Sequence, residues 1–211
     1  RLEGALQRLR GDAPGPVEVT WRAAGTEREE MAALATTAAN GNVVVARLTN
    51  LAPGSRTSYR VTGDGDTRDG AVRTQAWSAK PGAGPDFTLA IGSCFFLADP
   101  DPVWGGQRYG GGFAIFDAIA AAQPDAMLWL GDNLYFQQPD FLDPAAMARR
   151  YQRQRTYGPL QQLLTATAHV AIWDDHDYGP NNADASYVMK GATRALFERY
   201  TLCDAQPNIE R

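Results

Sequence analysis

The sequence predicts a chain in two parts, a small antiparallel β-sandwich followed by an α/β domain built on parallel strands. Three observations carry this. Short alternating apolar runs separated by turn residues fill the chain up to Trp77. Residues 78–86, SAKPGAGPD, make a Pro/Gly linker of the kind that separates domains. Beyond it, strand-like and helix-like periodicities alternate. The predicted organisation is a sandwich over residues 1–77, a linker over 78–86 and an α/β domain over 87–211.

In the first part, PVEVTWR puts Val17, Val19 and Trp21 on one face of a strand. Residues 42–48 (NVVVARL), 57–61 (TSYRV) and 71–77 (AVRTQAW) follow as further strands, bounded by Gly, Asn, Asp and Pro turns. The segment LTNLAPGSRTSYRV, with Leu51, Pro53 and Gly54 at its turn and Tyr59 beyond, resembles the strand-turn-strand corner of fibronectin type III-like domains.

In the second part, residues 87–93 (FTLAIGS) read as a short apolar strand. Residues 111–123 place Phe113, Phe116, Ile119 and Ala120 at helical spacing, and 125–130 (DAMLWL) form a second strand. Residues 143–156 and 158–167 are helical, Pro159 fitting a helix start. Residues 169–173 (HVAIW) form a third strand, and a helix runs from Ser186. Strand, helix, strand, helices, strand implies parallel strands joined by right-handed crossovers.

Composition bounds the function. The 211 residues are 44% hydrophobic and 21% charged with net charge −4, an ordinary globular profile. Mild acidity argues against binding nucleic acid through broad phosphate neutralisation. No apolar run approaches the roughly 20 residues that span a bilayer, and RLEGALQRLRGD has no apolar signal core. Two cysteines, Cys94 and Cys203, make no disulfide framework.

The chemistry collects where the strands end. The first runs into Ser93-Cys94, the second into Gly131-Asp132-Asn133-Leu134-Tyr135, the third into Asp174-Asp175-His176-Asp177. Alone, each has a plain structural explanation: a small buried thiol, a turn, a solvated acidic loop. In an open α/β sheet, however, the carboxyl ends of the strands face one crevice. Crowded carboxylates repel unless a cation offsets them, so the coincidence at three successive strand ends points to a metal site. Thiolate and phenolate suit a trivalent or borderline transition ion, whereas carboxylates suit Ca²⁺, Mg²⁺ or Mn²⁺. The mixed set suits two ions sharing a bridging carboxylate, the clamp used for displacement at phosphorus. An EF-hand register fails, because counting from Asp175 puts Gly179 and Pro180 at the fifth and sixth positions. Arg149, Arg150, Arg153 and Arg155 either reach a substrate phosphate or form a solvated helix face. The Gly-rich run 110–112 lacks a phosphate-loop lysine and reads as a flexible approach to its helix.

GDNLY is similar to the iron-binding motif of purple acid phosphatases. Together with IGSC, RYQRQRTYGPLQQLL and HVAIWDDHDYGPNNAD, it makes the chain resemble the alkaline phosphatase D (PhoD-like) family of metallophosphoesterases. That resemblance implies a fibronectin-like amino-terminal domain, a periplasmic or secreted location, and metal-dependent hydrolysis of phosphate mono- or diesters by a metal-activated hydroxide. It implies Fe³⁺ on Cys94 and Tyr135, Asp132 bridging to a second ion, often Ca²⁺, and Asp175 as a ligand of that ion. Zn²⁺ or Mn²⁺ are the alternative metals. It also implies His176 as the catalytic histidine, oriented by Asp177. Asp174 either binds metal or caps the strand end. The superfamily completes its site with further His and Asp ligands after WDDHD, but only His169 and His176 occur here, and His169 lies in a predicted strand. The expectation is therefore an amino-terminal fragment or a truncated homologue, with the activity of these 211 residues alone left open. A degenerate, non-catalytic phosphatase-like binding module is the rival from another functional class.

Overall fold

The computed structural model describes residues 14–23, 27–74, 84, 86–98 and 109–202. Its amino-terminal unit is a four-stranded antiparallel sheet in the order β2-β1-β3-β4, formed by β1 (Pro16–Ala23), β2 (Glu30–Ala35), β3 (Arg56–Gly63) and β4 (Asp66–Arg73). β3 and β4 meet in a two-residue turn at Asp64-Gly65, where both residues take positive φ (49° and 72°). That handedness matches the twist of the flanking strands. Trp21 pairs with Tyr59 and Val19 with Val61, so alternation gathers Val17, Val19, Trp21 and Tyr59 into one buried apolar face.

Three expectations change here. Residues 42–48 form no strand. Val44, Ala46 and Leu48 pack on the sheet's apolar face, while Val43 packs into the helical cluster of the second unit. The alternation is real, but it serves two cores instead of a ladder. β2, absent from the predicted set, has the helix-favouring composition EMAALA; pairing with β1 over Met31–Ala35 and Glu30 overrides that propensity. β4 begins at Asp66, earlier than Ala71, and Arg60 on β3 grips Asp69 across the hairpin at 2.7 Å. Residues 75–77 and most of the linker lie outside the described residues. Among the described residues there is one antiparallel sheet, with segment 43–51 where a sandwich would place a second.

The second unit contains β5 (Leu89–Gly92), α1 (Ile115–Ala121), β6 (Ala126–Leu130), α2 (Pro144–Arg155), α3 (Gln161–Ala166), β7 (Ala168–Ile172), α4 (Asp175–Tyr178) and α5 (Lys190–Thr201). β5, β6 and β7 are parallel neighbours in that order. α1 is shorter than predicted because Gly111, Gly112 and Phe113 have positive φ and form a 3-10 turn before it. α2 matches its prediction: the Asp143 carboxylate accepts from the Ala145 amide at 2.8 Å, and Pro144 occupies the first turn. Residues 158–167 split into a 3-10 turn and α3. The last helix starts at Lys190, not Ser186. Asp184 accepts from the Ser186 amide, and the Tyr187 hydroxyl donates to the Phe141 carbonyl, holding this stretch in turns.

Met127, Trp129 and Ala171 turn one face of the parallel sheet into a core shared with Phe116 and Ala120 of α1, Leu163 and Leu164 of α3, and Phe197 of α5. The opposite face leaves Leu89, Ile91, Leu130, Val170 and Ile172 exposed. The two units touch: Arg73 of β4 pairs with Asp125 at 3.4 Å, and the Gln152 side chain donates to the Gly41 carbonyl.

Candidate metal centre

Parallel pairing fixes the geometry. Because β5, β6 and β7 run side by side in one direction, the loops that leave them emerge at one edge of the sheet. The first two loops interlock through the backbone: the Cys94 amide donates to Gly131 O at 3.3 Å, and the Phe95 amide to Asp132 O at 2.9 Å. Cys94 (φ 59°) and Asp132 (φ 48°) both adopt the left-handed conformation, a strained state for non-glycine residues that concentrates at functional sites. Gly131, at φ +91°, is required twice over. A β-carbon there would lie 2.6 Å from Asp174 Cβ.

Asp132 is the hub of the side chains. Its Oδ2 accepts from the Tyr135 hydroxyl at 2.9 Å and from Cys94 Sγ at 3.6 Å. Its Oδ1 accepts from the His176 amide at 3.3 Å. One donor atom from each of Asp132, Asp175 and His176 lies within 4.8 Å of the other two. The His176 ring sits on Tyr135, centroids 4.2 Å apart, which limits its rotation. Five of the predicted residues, Cys94, Asp132, Tyr135, Asp175 and His176, therefore share one locus. Among the described residues no Lys or Arg pairs with Asp132, Asp174 or Asp175. The donor set of one thiol, one phenol, two carboxylates and one imidazole fits a metal cation. Burial raises the Tyr135 phenol well above its ordinary value, and its hydrogen bonds with Cys94 and Asp132 add to this.

Other residues take different places. Asp177 was expected to orient His176, but its fully buried carboxylate accepts from the amides of Asn133 (3.0 Å), Leu134 (3.2 Å) and Asp174 (3.1 Å) and from the Asn133 side chain (3.1 Å). It clamps the β6 and β7 loops together. Burial pushes this carboxyl up to about 7, opposed by those donors. Asp174 is the amino-terminal cap of α4, accepting from the Asp175 amide at 2.9 Å within a reciprocal capping box with Asp177. His169 lies away from this edge. Its Nδ1 accepts from Trp129 Nε1 at 3.0 Å and its Nε2 meets Leu163 O at 3.2 Å, so both nitrogens are engaged. The arginines of α2 are structural where their partners are seen: Arg149 pairs with Asp143, Arg150 with the buried Asp140, and Arg153 donates to Ala98 O.

Sequence reasoning missed Asn133 and Gln154, both buried beneath the loops. Gln154 follows Met147 and Tyr151 at helical spacing on the buried face of α2. A polar residue on an apolar stripe was the available signal.

No protein-family model matches the chain, and no curated protein matches it. A solved structure described as "Structure of PhoD" is similar, with a TM-score of 0.73 and 18% identity over 95% of this chain and 42% of that one. The chain thus has a PhoD-like fold and spans about two fifths of that structure's length.

Proposed function

We propose that this chain carries metal-binding strand ends of a phosphoric ester hydrolase acting on phosphate mono- or diesters. The observation that carries the reading is the meeting of Cys94, Asp132, Tyr135, Asp175 and His176 at the ends of adjacent parallel strands. The PhoD-like fold supports it. Cys94, Tyr135 and Asp132 would hold Fe³⁺. Asp132 and Asp175 would hold Ca²⁺, and Zn²⁺ or Mn²⁺ are the alternatives. When bound, such a pair supplies Lewis acidity toward the phosphoryl group and lowers the pKa of water.

The protein's own part is positional and protonic. The His176 amide holds Asp132 Oδ1, and Asp175 is anchored by the Asn182 amide at 2.5 Å. The His176 imidazole packs on Tyr135 and would donate a proton or a hydrogen bond to the phosphoryl oxygen or the leaving group. Tyr135 and Cys94 must lose their protons to become ligands, so ion binding is coupled to proton release and tightens as pH rises. Asp174 remains a helix cap. No described helix is long and apolar enough to cross a membrane, and the periplasmic or secreted location stays part of this proposal.

Hydrolysis of aryl phosphate mono- and diesters in the presence of Fe³⁺ and Ca²⁺ tests the reading. Asp132→Asn is expected to lower turnover by at least about 100-fold, since it weakens both proposed ion positions. Turnover equal to wild type in that variant would defeat it.

A further inference from the structure

We infer that Gln154 is a positioning residue for this centre: its carboxamide holds the Cys94 loop and the Asp132 loop at the separation that lets their side chains act on one ion. Gln154 lies on α2, outside both loops, and is 3% exposed. Its Nε2 donates to Asn133 O at 2.5 Å, directly after Asp132, and to Phe95 O at 3.5 Å, directly after Cys94. One side-chain nitrogen therefore spans the two segments whose side chains meet at 3.6 Å, Cys94 Sγ on Asp132 Oδ2.

The backbone links between these segments include the two hydrogen bonds donated by the Cys94 and Phe95 amides, and the backbone is left-handed at both Cys94 and Asp132. Strained backbone persists only where its surroundings over-determine it, and Gln154 supplies a tie from a separate, well-packed element. Its helix is fixed by Met147 and Tyr151 in the core and by the Asp143 cap, so the amide is presented from a rigid base. Without it, two buried carbonyls lose a donor, a loss that buried polar groups do not tolerate in place. The loops can recover those bonds only by shifting toward water, away from the observed spacing. The metal part of this inference rests on the function proposed above; the loop-holding part does not.

Gln154→Met keeps length and burial but removes the donor. In the metal-free protein, amide hydrogen exchange should accelerate at least about tenfold at Cys94 and Phe95 relative to the amides of Met127 and Trp129 in β6. Acceleration of all four alike, or of none, would overturn the positioning role. Gln154→Glu, of the same size, decides between the same outcomes should the methionine variant fail to fold. In parallel, Fe³⁺ affinity should fall about 10–100-fold in Gln154→Met. Unchanged affinity would remove the metal consequence. Wild-type protein that takes up no Fe³⁺ would defeat the proposed function, while the exchange rates still judge Gln154.

Discussion

At the scale of single residues, direction decided which expectations survived. Cys94, Asp132, Tyr135 and Asp175 were legible because strand direction alone brings strand ends together, and the structure unites them with His176. Asp177 was not legible. One turn of α4 rotates its carboxylate inward to the loop amides, and a sequence motif does not encode that rotation. On the function proposed above, His176→Ala in the full-length protein should lower turnover by about 10²- to 10⁴-fold, the usual size of an acid–base contribution, with metal content largely unchanged; metal analysis of the variant checks this, and loss of both metals would make His176 a ligand. His169 has a separate role in stability. Burial, with the Arg155 charge, lowers it from 6.5 to about 4. Between those values the unfolded chain takes a proton that the folded chain refuses, so stability falls as pH drops through the window and levels off below it. Asp177 is raised to about 7 by burial and acts in the opposite sense, its contribution fading as pH rises from about 4. Comparing urea unfolding of wild type and His169→Gln at pH 7 and 4.5 isolates the histidine. The variant should lose less stability on acidification, and an equal loss would remove His169 from the account.

At the scale of elements, periodicity and turn residues were readable, while tertiary rescue was not. Residues 143–156 were read as helical, and in the structure Asp143 caps α2 with Pro144 in its first turn, while Asp64-Gly65 sits at the hairpin turn. β2 was hidden because Glu, Met and Ala favour helices, and it is a strand only through its pairing with β1. Residues 43–48 deceived in the other direction, since apolar alternation marks burial on two sides but not the presence of a ladder partner. The cap on α2 gives a measurable consequence. Asp143→Ala should lower the urea unfolding midpoint, and Asp143→Asn much less, because the amide oxygen still accepts from Ala145. Equal losses in both variants would assign the effect to the Arg149 ion pair instead.

At the scale of the whole molecule, the notable feature is a parallel sheet with one face left exposed among the described residues. Parallel sheets are ordinarily covered on both faces, yet Ile91 is 59% exposed here, and Leu89, Leu130, Val170 and Ile172 lie exposed on the same face. Covering each such side chain is worth roughly 1 kcal/mol or more, so the purified chain should bind a hydrophobic dye or self-associate. Ile91→Lys with Ile172→Lys should reduce both while leaving the unfolding midpoint nearly unchanged. Undiminished dye binding in that variant would locate the sticky surface elsewhere.

The central claim, that Cys94, Asp132 and Tyr135 take one cation between the ends of β5 and β6, is tested most directly by titrating Fe³⁺ into the metal-free protein and following visible absorption. Phenolate and thiolate ligation should produce a charge-transfer band that saturates at one iron per chain, strengthens as pH rises, shifts in Tyr135→Phe and disappears in Asp132→Asn. A wild-type protein that develops no band, or one whose band is unchanged in both variants, would contradict the account.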